Sequence, residues 1–395
     1  MKKIIFGFLI SLKIIGQSSW SQLQNFPTSS RASASIFIIN DTVYAGAGRD
    51  SSYGNIFTKD FYKYNPSTNN WTPIADIPGE RWLATSFSIG NKGYIALGQG
   101  VSAASSQLLE YNPTTNIWSQ KANFPGNPRY AAFSFVANGK AYIGGGRNST
   151  SFNDLWEYNP ISDSWTQKSS FPNVRHCAVA FSINNKGYMG LGADIGWYKD
   201  FYEYDPLLDT WTQKANFPDS ARYIGTGFSY NNKGYAGLGM IYTSSGSYVQ
   251  SDFWEYDPIL NNWSFFNNIP GVSRYHCVAA SSNSKVYILG GADQNIQFLS
   301  DFYSFPNQIS TGTKLNCMND FFSVYTNDNE IIIINKTNHE VMFQLCDIFG
   351  KIIYNHKLIG EKNKLKLENN GANLCTYRII TAELETINGK LIITN

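Results

Sequence analysis

One pattern recurs along most of this chain and dictates what it can fold into. In the stretch from Asp154 to Pro172, a Tyr is followed seven residues later by a Trp and then by an aromatic-Pro or Ile-Pro pair. The Tyr position holds Tyr64, Tyr111, Tyr158, Tyr204 and Tyr256, then Phe305, at steps of 47, 47, 46, 52 and 49 residues. The Trp partners are Trp71, Trp118, Trp165, Trp211 and Trp263, but none follows Phe305. The missing piece stands at the other end, where Ser19 to Pro27 repeats the Trp-to-Pro spacing around Trp20.

A period near fifty residues with several strand signals per copy points to a propeller of four-stranded blades rather than a helical solenoid. Six copies give six blades. With Trp20 completing the last repeat, the first strand in sequence becomes the outer strand of blade six, and pairing of the chain ends leaves no open edge at the seam. In the third repeat, strand a spans Arg129 to Val136, Asn138-Gly139 makes a hairpin turn, strand b spans Ala141 to Gly145, strand c Leu155 to Tyr158 and strand d Ser164 to Gln167. Gly48, Gly98, Gly146, Gly192, Gly239 and Gly291 end strand b, where a tight approach or a positive φ excludes a side chain.

Composition agrees: 15% aromatic and 15% charged residues suit a β protein with a large core. Lys2 and Lys3 precede an apolar run from Ile4 to Leu12, and small residues follow at Gly16, Ser18 and Ser19, so residues 1–18 read as a secretory signal peptide. Nine apolar residues are too few to cross a bilayer, and no later run approaches the required length, so no transmembrane segment remains after signal removal. Without the signal the chain carries 28 basic and 29 acidic residues, which offers no field for nucleic acid. Five cysteines, at 177, 277, 317, 346 and 375, form no framework. Cys177 and Cys277 are expected as buried thiols, and a bridge between Cys346 and Cys375 stays open.

The Tyr-x-Gly-Gly-like strands from Tyr142 and Tyr287, with the spaced Tyr and Trp, make residues 19–306 resemble the kelch-repeat family. A WD-type propeller is disfavoured because Thr or Ser, not Asp, follows each repeat Trp. The glycine pair departs from the family pattern in blades one, two, four and five, a change expected to alter packing but not the fold.

From residue 307 the repeat stops. Residues 307–318 read as a linker and 319–395 as a small immunoglobulin-like β-sandwich, with apolar runs at Ile331 to Ile334, Val341 to Leu345 and Lys351 to Tyr354. Phe321 to Tyr325, D-I-F-G-K from Asp347, Cys375 to Ile380 and Asn388 to Ile393 resemble the C-terminal sorting domain of proteins exported by the type IX secretion system of Bacteroidota. That resemblance implies export through the periplasm to the outer surface or medium, with the secretion machinery as a partner.

The expected all-β architecture places the variable b-to-c loops on one face of the propeller, where a glycan or protein ligand would dock. An Arg begins strand a in every blade: Arg31, Arg81, Arg129, Arg175, Arg222 and Arg274. Each pairs structurally with the Asp opening strand c (Asp60, Asp154, Asp200, Asp252 and Asp301), or it grips a carboxylate ligand. Blade two has Gln107 in place of the Asp, so Arg81 is expected to keep its donors free. Trp197, Tyr198, Tyr242 and Tyr248 offer rings for sugar stacking, while Trp82, Tyr130, Tyr223 and Tyr275 are expected between blades.

No cofactor, metal or catalytic motif emerges. His176 and His276 sit at different offsets from their Arg and are not expected to share a ligand. The enzymatic alternative is resemblance to six-bladed kelch epimerases of sialic acid, but Glu110, Glu157, Glu203 and Glu255 recur too regularly to mark one active site. The favoured reading is a non-catalytic binding module.

Overall fold

The computed structural model describes residues 20–50, 56–282 and 284–305, and beyond them only the strands within 313–392. The expected signal segment 1–18 lies outside the described residues, as does most of 307–318. Residues 20–306 form one compact unit of six antiparallel sheets. Strand a of every blade contributes to the lining of one cavity through Ser33, Leu83, Ala131, Cys177, Ile224 and His276, which places these strands around a central channel.

Blade three is representative. Its strands run Phe133–Ala137, Lys140–Gly144, Leu155–Asn159 and Ser164–Lys168, each paired antiparallel with the next. Asn138 and Gly139 both have positive φ (51° and 71°), as a two-residue type I′ hairpin turn requires. The seven-residue Tyr-to-Trp spacing is a register effect, since Tyr158 lies opposite Trp165 across the c–d hairpin. Blade six closes as expected: Ser21–Leu23 pairs with Phe302–Phe305, with Ser21 opposite Ser304. This borrowed strand fills the edge that the end of the repeat would leave open.

The apolar core is divided among the seams between blades. Phe37 and Tyr44 of blade one pack with Ile95, Tyr111 and Trp118 of blade two. Between blades five and six, Trp20 of the closing strand packs with Phe253 and Phe305, ring centroids 5.9 and 5.2 Å away. In blade four, a side chain on Gly187 would meet the Phe135 ring of blade three at 2.3 Å, so the Phe occupies the space of the missing side chain.

Each Trp also fastens a polar clamp. Trp118 Nε1 donates to the Ala75 carbonyl of blade one at 2.9 Å, while Ala75 N–H donates to Asn116 Oδ1, which also accepts from Tyr111 Oη at 2.9 Å. The same clamp recurs through Trp71, Trp165, Trp211 and Trp263, all at 2.9 Å. Trp20 is the exception. Its buried Nε1 has no partner, and blade five carries a register shift between Phe253 and Trp254 where the clamp would form.

The C-terminal part is also all β. Its described strands form two four-stranded antiparallel sheets, one of Thr313–Leu315, Phe322–Asn327, Glu330–Asn335 and Lys362–Lys366, the other of Ile352–Leu358, Val341–Cys346, Leu374–Ile380 and Thr386–Ile392. Thr313–Leu315 falls within the stretch expected as linker, yet pairs with Phe322–Asn327. Val341–Cys346 and Ile352–Leu358 form the hairpin expected around D-I-F-G-K, whose own residues lie outside the description, as do the side chains of Cys346 and Cys375.

The unmatched Trp20 gives a direct test of the clamp. Trp118→Phe strands the Ala75 carbonyl, whereas Trp20→Phe removes a donor that has no acceptor. Thermal or denaturant melts should show Trp118→Phe costing about 1–2 kcal/mol more than Trp20→Phe. Equal losses would show that the indole hydrogen bond contributes nothing.

Candidate functional site

The ring of strand-a arginines is built into the wall. Every one is at most 3% exposed. Arg175 makes a two-pronged contact with Asp200 at 2.7 and 2.8 Å, and Arg129, Arg222 and Arg274 repeat it with Asp154, Asp252 and Asp301. Arg31 reaches Asp60 at 2.5 Å and Asp50 at 3.4 Å. Burial alone would raise the Asp200 and Asp252 carboxyls, but hydrogen bonds and charge from Arg175 and Arg222 hold both below the usual range. Of the two roles open to these arginines, the geometry supports the structural one.

Arg81 departs from expectation. Its guanidinium donates to the Leu97 carbonyl at 3.1 Å, to Ser105 Oγ at 3.3 Å and to Gln107 Oε1, so it is engaged rather than free. The Gln supplies the acceptor that Asp supplies elsewhere, without the charge. Burial with no compensating carboxylate lowers the Arg81 pKa to about 10.

The backbone around these arginines fixes the channel. The N–H of Gly146 donates to the Arg175 carbonyl of the next blade at 2.9 Å. Gly48, Gly98, Gly192, Gly239 and Gly291 do the same to Arg81, Arg129, Arg222, Arg274 and Arg31, between 2.7 and 2.9 Å. Gly146 has φ of 83°, and a Cβ there would lie 2.7 Å from the Tyr130 carbonyl, so conformation and space both demand glycine. The residue before each such glycine is also left-handed; Ala47, Leu97, Leu191 and Leu238 adopt it with φ between 53° and 62°. Departures from the glycine pair therefore leave the backbone unchanged, as expected.

Two residues beyond each Arg, strand a carries a second left-handed ring: Ser33, Leu83, Ala131, Cys177, Ile224 and His276, with φ between 48° and 57°. These residues line the waist of the channel, a cavity of about 120 Å³. Around the waist, Ser33 N–H donates to the His276 carbonyl at 2.7 Å, Ala131 N–H to Leu83 and Cys177 N–H to Ala131 at 2.9 Å. Left-handed backbone at a non-glycine residue costs about 1–2 kcal/mol, and these cross-blade bonds offset it at Ser33, Ala131 and Cys177.

Between the two rings lies the mouth. Trp82 and His276 have ring centroids 5.7 Å apart although they belong to blades two and six, which are not neighbours. The Trp82 ring also stacks on Phe57 of blade one at 5.8 Å, so it lies against the neighbouring blade and reaches past it to blade six. Tyr223 of blade five lies against blade four: its hydroxyl is 3.4 Å from His176 Nε2, and its ring stacks on Trp197 at 5.5 Å. His176 Nδ1 lies 3.0 Å from Ser151 Oγ, and His276 Nδ1 lies 2.6 Å from Ser33 Oγ. Burial, aided by Arg147 and Arg49 respectively, lowers His176 to about 4 and His276 to about 3, so both are neutral at pH 7. Burial also pushes the Cys177 thiol up to about 12.

Two cations that the sequence did not single out complete the mouth. Arg49 lies 5.3 Å over the Trp82 ring and 5.9 Å from the Phe298 ring, and its charge bears on Tyr275 and His276. The charge of Arg147 bears on His176, Cys177 and Tyr223. The neighbours of Arg49 thus lie on blades two and six beside its own blade one. Those of Arg147 lie on blades four and five beside its own blade three. Among the described residues neither has a carboxylate partner, and the buried Nε of each is unsatisfied, as is Trp82 Nε1. Their signal in sequence was slight: an Arg directly after the glycine that ends strand b, in two blades only.

Of the aromatic candidates, Tyr198 is occupied by the wall, since the Arg175 guanidinium lies 4.6 Å from its ring. Trp197, Tyr242 and Tyr248 face the loop side. Tyr242 and Tyr248 stand on a hairpin of Met240–Thr243 and Gly246–Val249, inserted into the b-to-c loop of blade five and 71% and 45% exposed. Trp197 bridges Tyr242 and Tyr223, with centroids 5.8 and 5.5 Å away. The recurring glutamates are structural: Glu110, Glu157, Glu203 and Glu255 each accept from the strand-b Tyr hydroxyl at 2.6–2.7 Å.

The fold is a six-bladed β-propeller, and its repeats are similar to kelch repeats. A family model described as the KLHDC2/KLHL20/DRC7 Kelch-repeats domain matches residues 10–188. Among solved structures, the chain titled "Structure of YjhT" superposes with a TM-score of 0.63 at 19% identity, covering 79% of this chain and 99% of that one. At that identity the likeness concerns the fold. No curated protein matches the chain.

The difference between paired and unpaired arginines is measurable. Arg129→Ala strands Asp154 and should cost about 3–5 kcal/mol. Arg81→Met orphans no carboxylate and should cost about 1 kcal/mol or less by the same melt. Equal losses would contradict the structural role assigned to the ion pairs.

Proposed function

We infer that this propeller is a binding module whose ligand presents an anionic or acceptor-rich group to the mouth of the channel. The observation that carries this reading is that Arg49 and Arg147 combine an unsatisfied buried Nε with the lack of any carboxylate partner among the described residues. Arg31, Arg175 and Arg222, whose Nε is also unsatisfied, are instead paired with aspartates; Trp82 Nε1, beside Arg49, is unsatisfied as well. A buried donor without an acceptor costs about 1–3 kcal/mol, and a carboxylate entering from the loop face relieves that cost. Trp197 and Tyr242 form an aromatic wall beside the mouth, suited to a sugar face or an apolar side chain. The ligand is therefore an acidic glycan or a protein segment bearing Asp, Glu or a terminal carboxylate. The epimerase alternative loses support because the repeat glutamates are committed to tyrosines in the wall.

The same reading places the protein outside the cell. Support comes from the N-terminal Lys2-Lys3 and apolar run, and from the motifs after Phe321 that resemble a type IX sorting domain. Among the described residues no helix is long and apolar enough to cross a membrane.

Arg147→Ala should weaken binding by about 1–3 kcal/mol in titrations against acidic hits from a glycan and peptide array, while the melting temperature stays within a degree or two. Unchanged affinity for every hit would remove the mouth from the site. For sorting, a chain ending at residue 318 should leave a folded propeller retained in the periplasm of its natural host. Undiminished surface delivery of that chain would show that the C-terminal sheets are not the signal.

A further inference from the structure

The opposite end of the channel is built from different chemistry. Strand a runs from the Arg at the mouth to the a–b hairpin turn, so residues at that turn open on the face away from the b-to-c loops. There, blades four, five and six enclose a cavity of about 400 Å³, within the range of small-molecule sites. Its wall includes Asn184, Ser229, Tyr230, Asn231, Asn232 and Ser281, and no lining residue carries a charge.

The lining is rich in groups that both donate and accept. A carboxamide offers two donors and an acceptor oxygen, and a hydroxyl offers one donor and two lone pairs. The side chains of Asn184, Asn231 and Asn232 make no hydrogen bond to another described residue, and all three are exposed. Their backbones are nevertheless fixed. Asn184 has φ of 51°, and Asn231 and Asn232 have 50° and 58°, the consecutive left-handed geometry of tight hairpin turns. The cavity therefore presents unused amides from rigid turns, with the half-buried Tyr230 ring in the same wall.

The other three blades differ at this face. Their corresponding turns are Asn40-Asp41, Gly90-Asn91 and Asn138-Gly139, and the inner-strand residues leading into them are Ile38-Ile39, Ser88-Ile89 and Val136-Ala137. Blade two carries the same Ser-Ile pair as Ser182-Ile183 of blade four and differs from it only in the turn, whereas blades five and six contribute Ser229, Tyr230, Ser281 and Ser282, with no counterpart of Tyr230 or Ser282 in blades one to three. The polar cavity thus rests on the residues of blades five and six together with the Asn184 turn of blade four, and not on the repeat alone.

We propose that this turn-face cavity is a second binding site, separate from the mouth, for a neutral polyhydroxylated ligand of the saccharide class. Among the described lining residues an anion would find no cation, and a metal ion would find no carboxylate, thiolate or imidazole. A neutral sugar supplies paired donors and acceptors that match the amides and hydroxyls, and one apolar face for Tyr230. The site does not depend on the reading of the mouth.

The test uses the full chain and four neutral trisaccharides, namely maltotriose, cellotriose, mannotriose and N,N′,N″-triacetylchitotriose, followed by saturation-transfer NMR and calorimetry. At least one should bind saturably. Asn231→Gly, which keeps the left-handed turn, and Ser281→Ala should each weaken that binding tenfold or more, while Arg147→Ala leaves it unchanged. Asn184→Asp, which retains shape and left-handed tolerance but replaces amide donors with charge, should weaken it similarly. Two results overturn the proposal: no saturable binding of any of the four to the folded wild-type chain, or binding that survives in both Asn231→Gly and Ser281→Ala.

Discussion

The hydrogen bond from the glycine ending strand b to the carbonyl of the next blade's Arg is the contact on which the rest depends. It occurs six times, including once across the seam from Gly291 to Arg31. A glycine amide can reach that carbonyl only by turning into left-handed backbone beside the neighbouring strand, where no Cβ fits. Once the carbonyl is held, the Arg side chain is directed outward beneath the loops. There it meets the Asp that opens strand c, or Gln107 in blade two, and, in five blades, the carbonyl preceding the glycine. One residue position thus ties each blade to the previous one through its backbone and anchors its own loop through its side chain.

This arrangement decides which groups remain for function. The six strand-a arginines look like a ligand-binding ring in sequence, yet their terminal Nη1 and Nη2 groups are directed at acceptors in the wall, and five carry an aspartate partner. Arg49 and Arg147, immediately after two of the glycines, escape that wiring and turn toward the channel beside Trp82, Tyr223 and the two neutral histidines. The waist below them is narrow and mostly apolar, and the far opening is lined by neutral amides and hydroxyls. Chemistry therefore changes along the channel, from cationic and aromatic at the loop face to neutral and polar at the turn face.

Much of this was legible because it is periodic. The Tyr-to-Trp spacing encodes a hairpin register, the Trp20 segment reveals the closing strand, and the Arg and Asp positions share a face because strands a and c run in the same direction. Features that occur once were harder to read. Arg81 finds acceptors in the Leu97 carbonyl and Gln107, and a carbonyl has no residue signature. Trp82 touches His276 across blade one, a contact between non-neighbouring blades that no local pattern encodes. The blade-five hairpin shows only as the 52-residue step. The sequence beyond residue 307 reads as short strands because its apolar runs are bounded by Asn, Asp and Gly, and two antiparallel sheets are what those strands form.

Whether the ring behaves as one closed unit is decided at the seam. Amide hydrogen exchange of Gly48, Gly98, Gly146, Gly192, Gly239 and Gly291, followed residue by residue under native conditions, reads each inter-blade bond separately. If closure by the N-terminal strand is complete, Gly291 is protected as strongly as the other five and all six exchange at the rate of global unfolding. Exchange of Gly291 far ahead of the rest would show that the seam opens by itself and that the propeller is an open arc held at one weak contact.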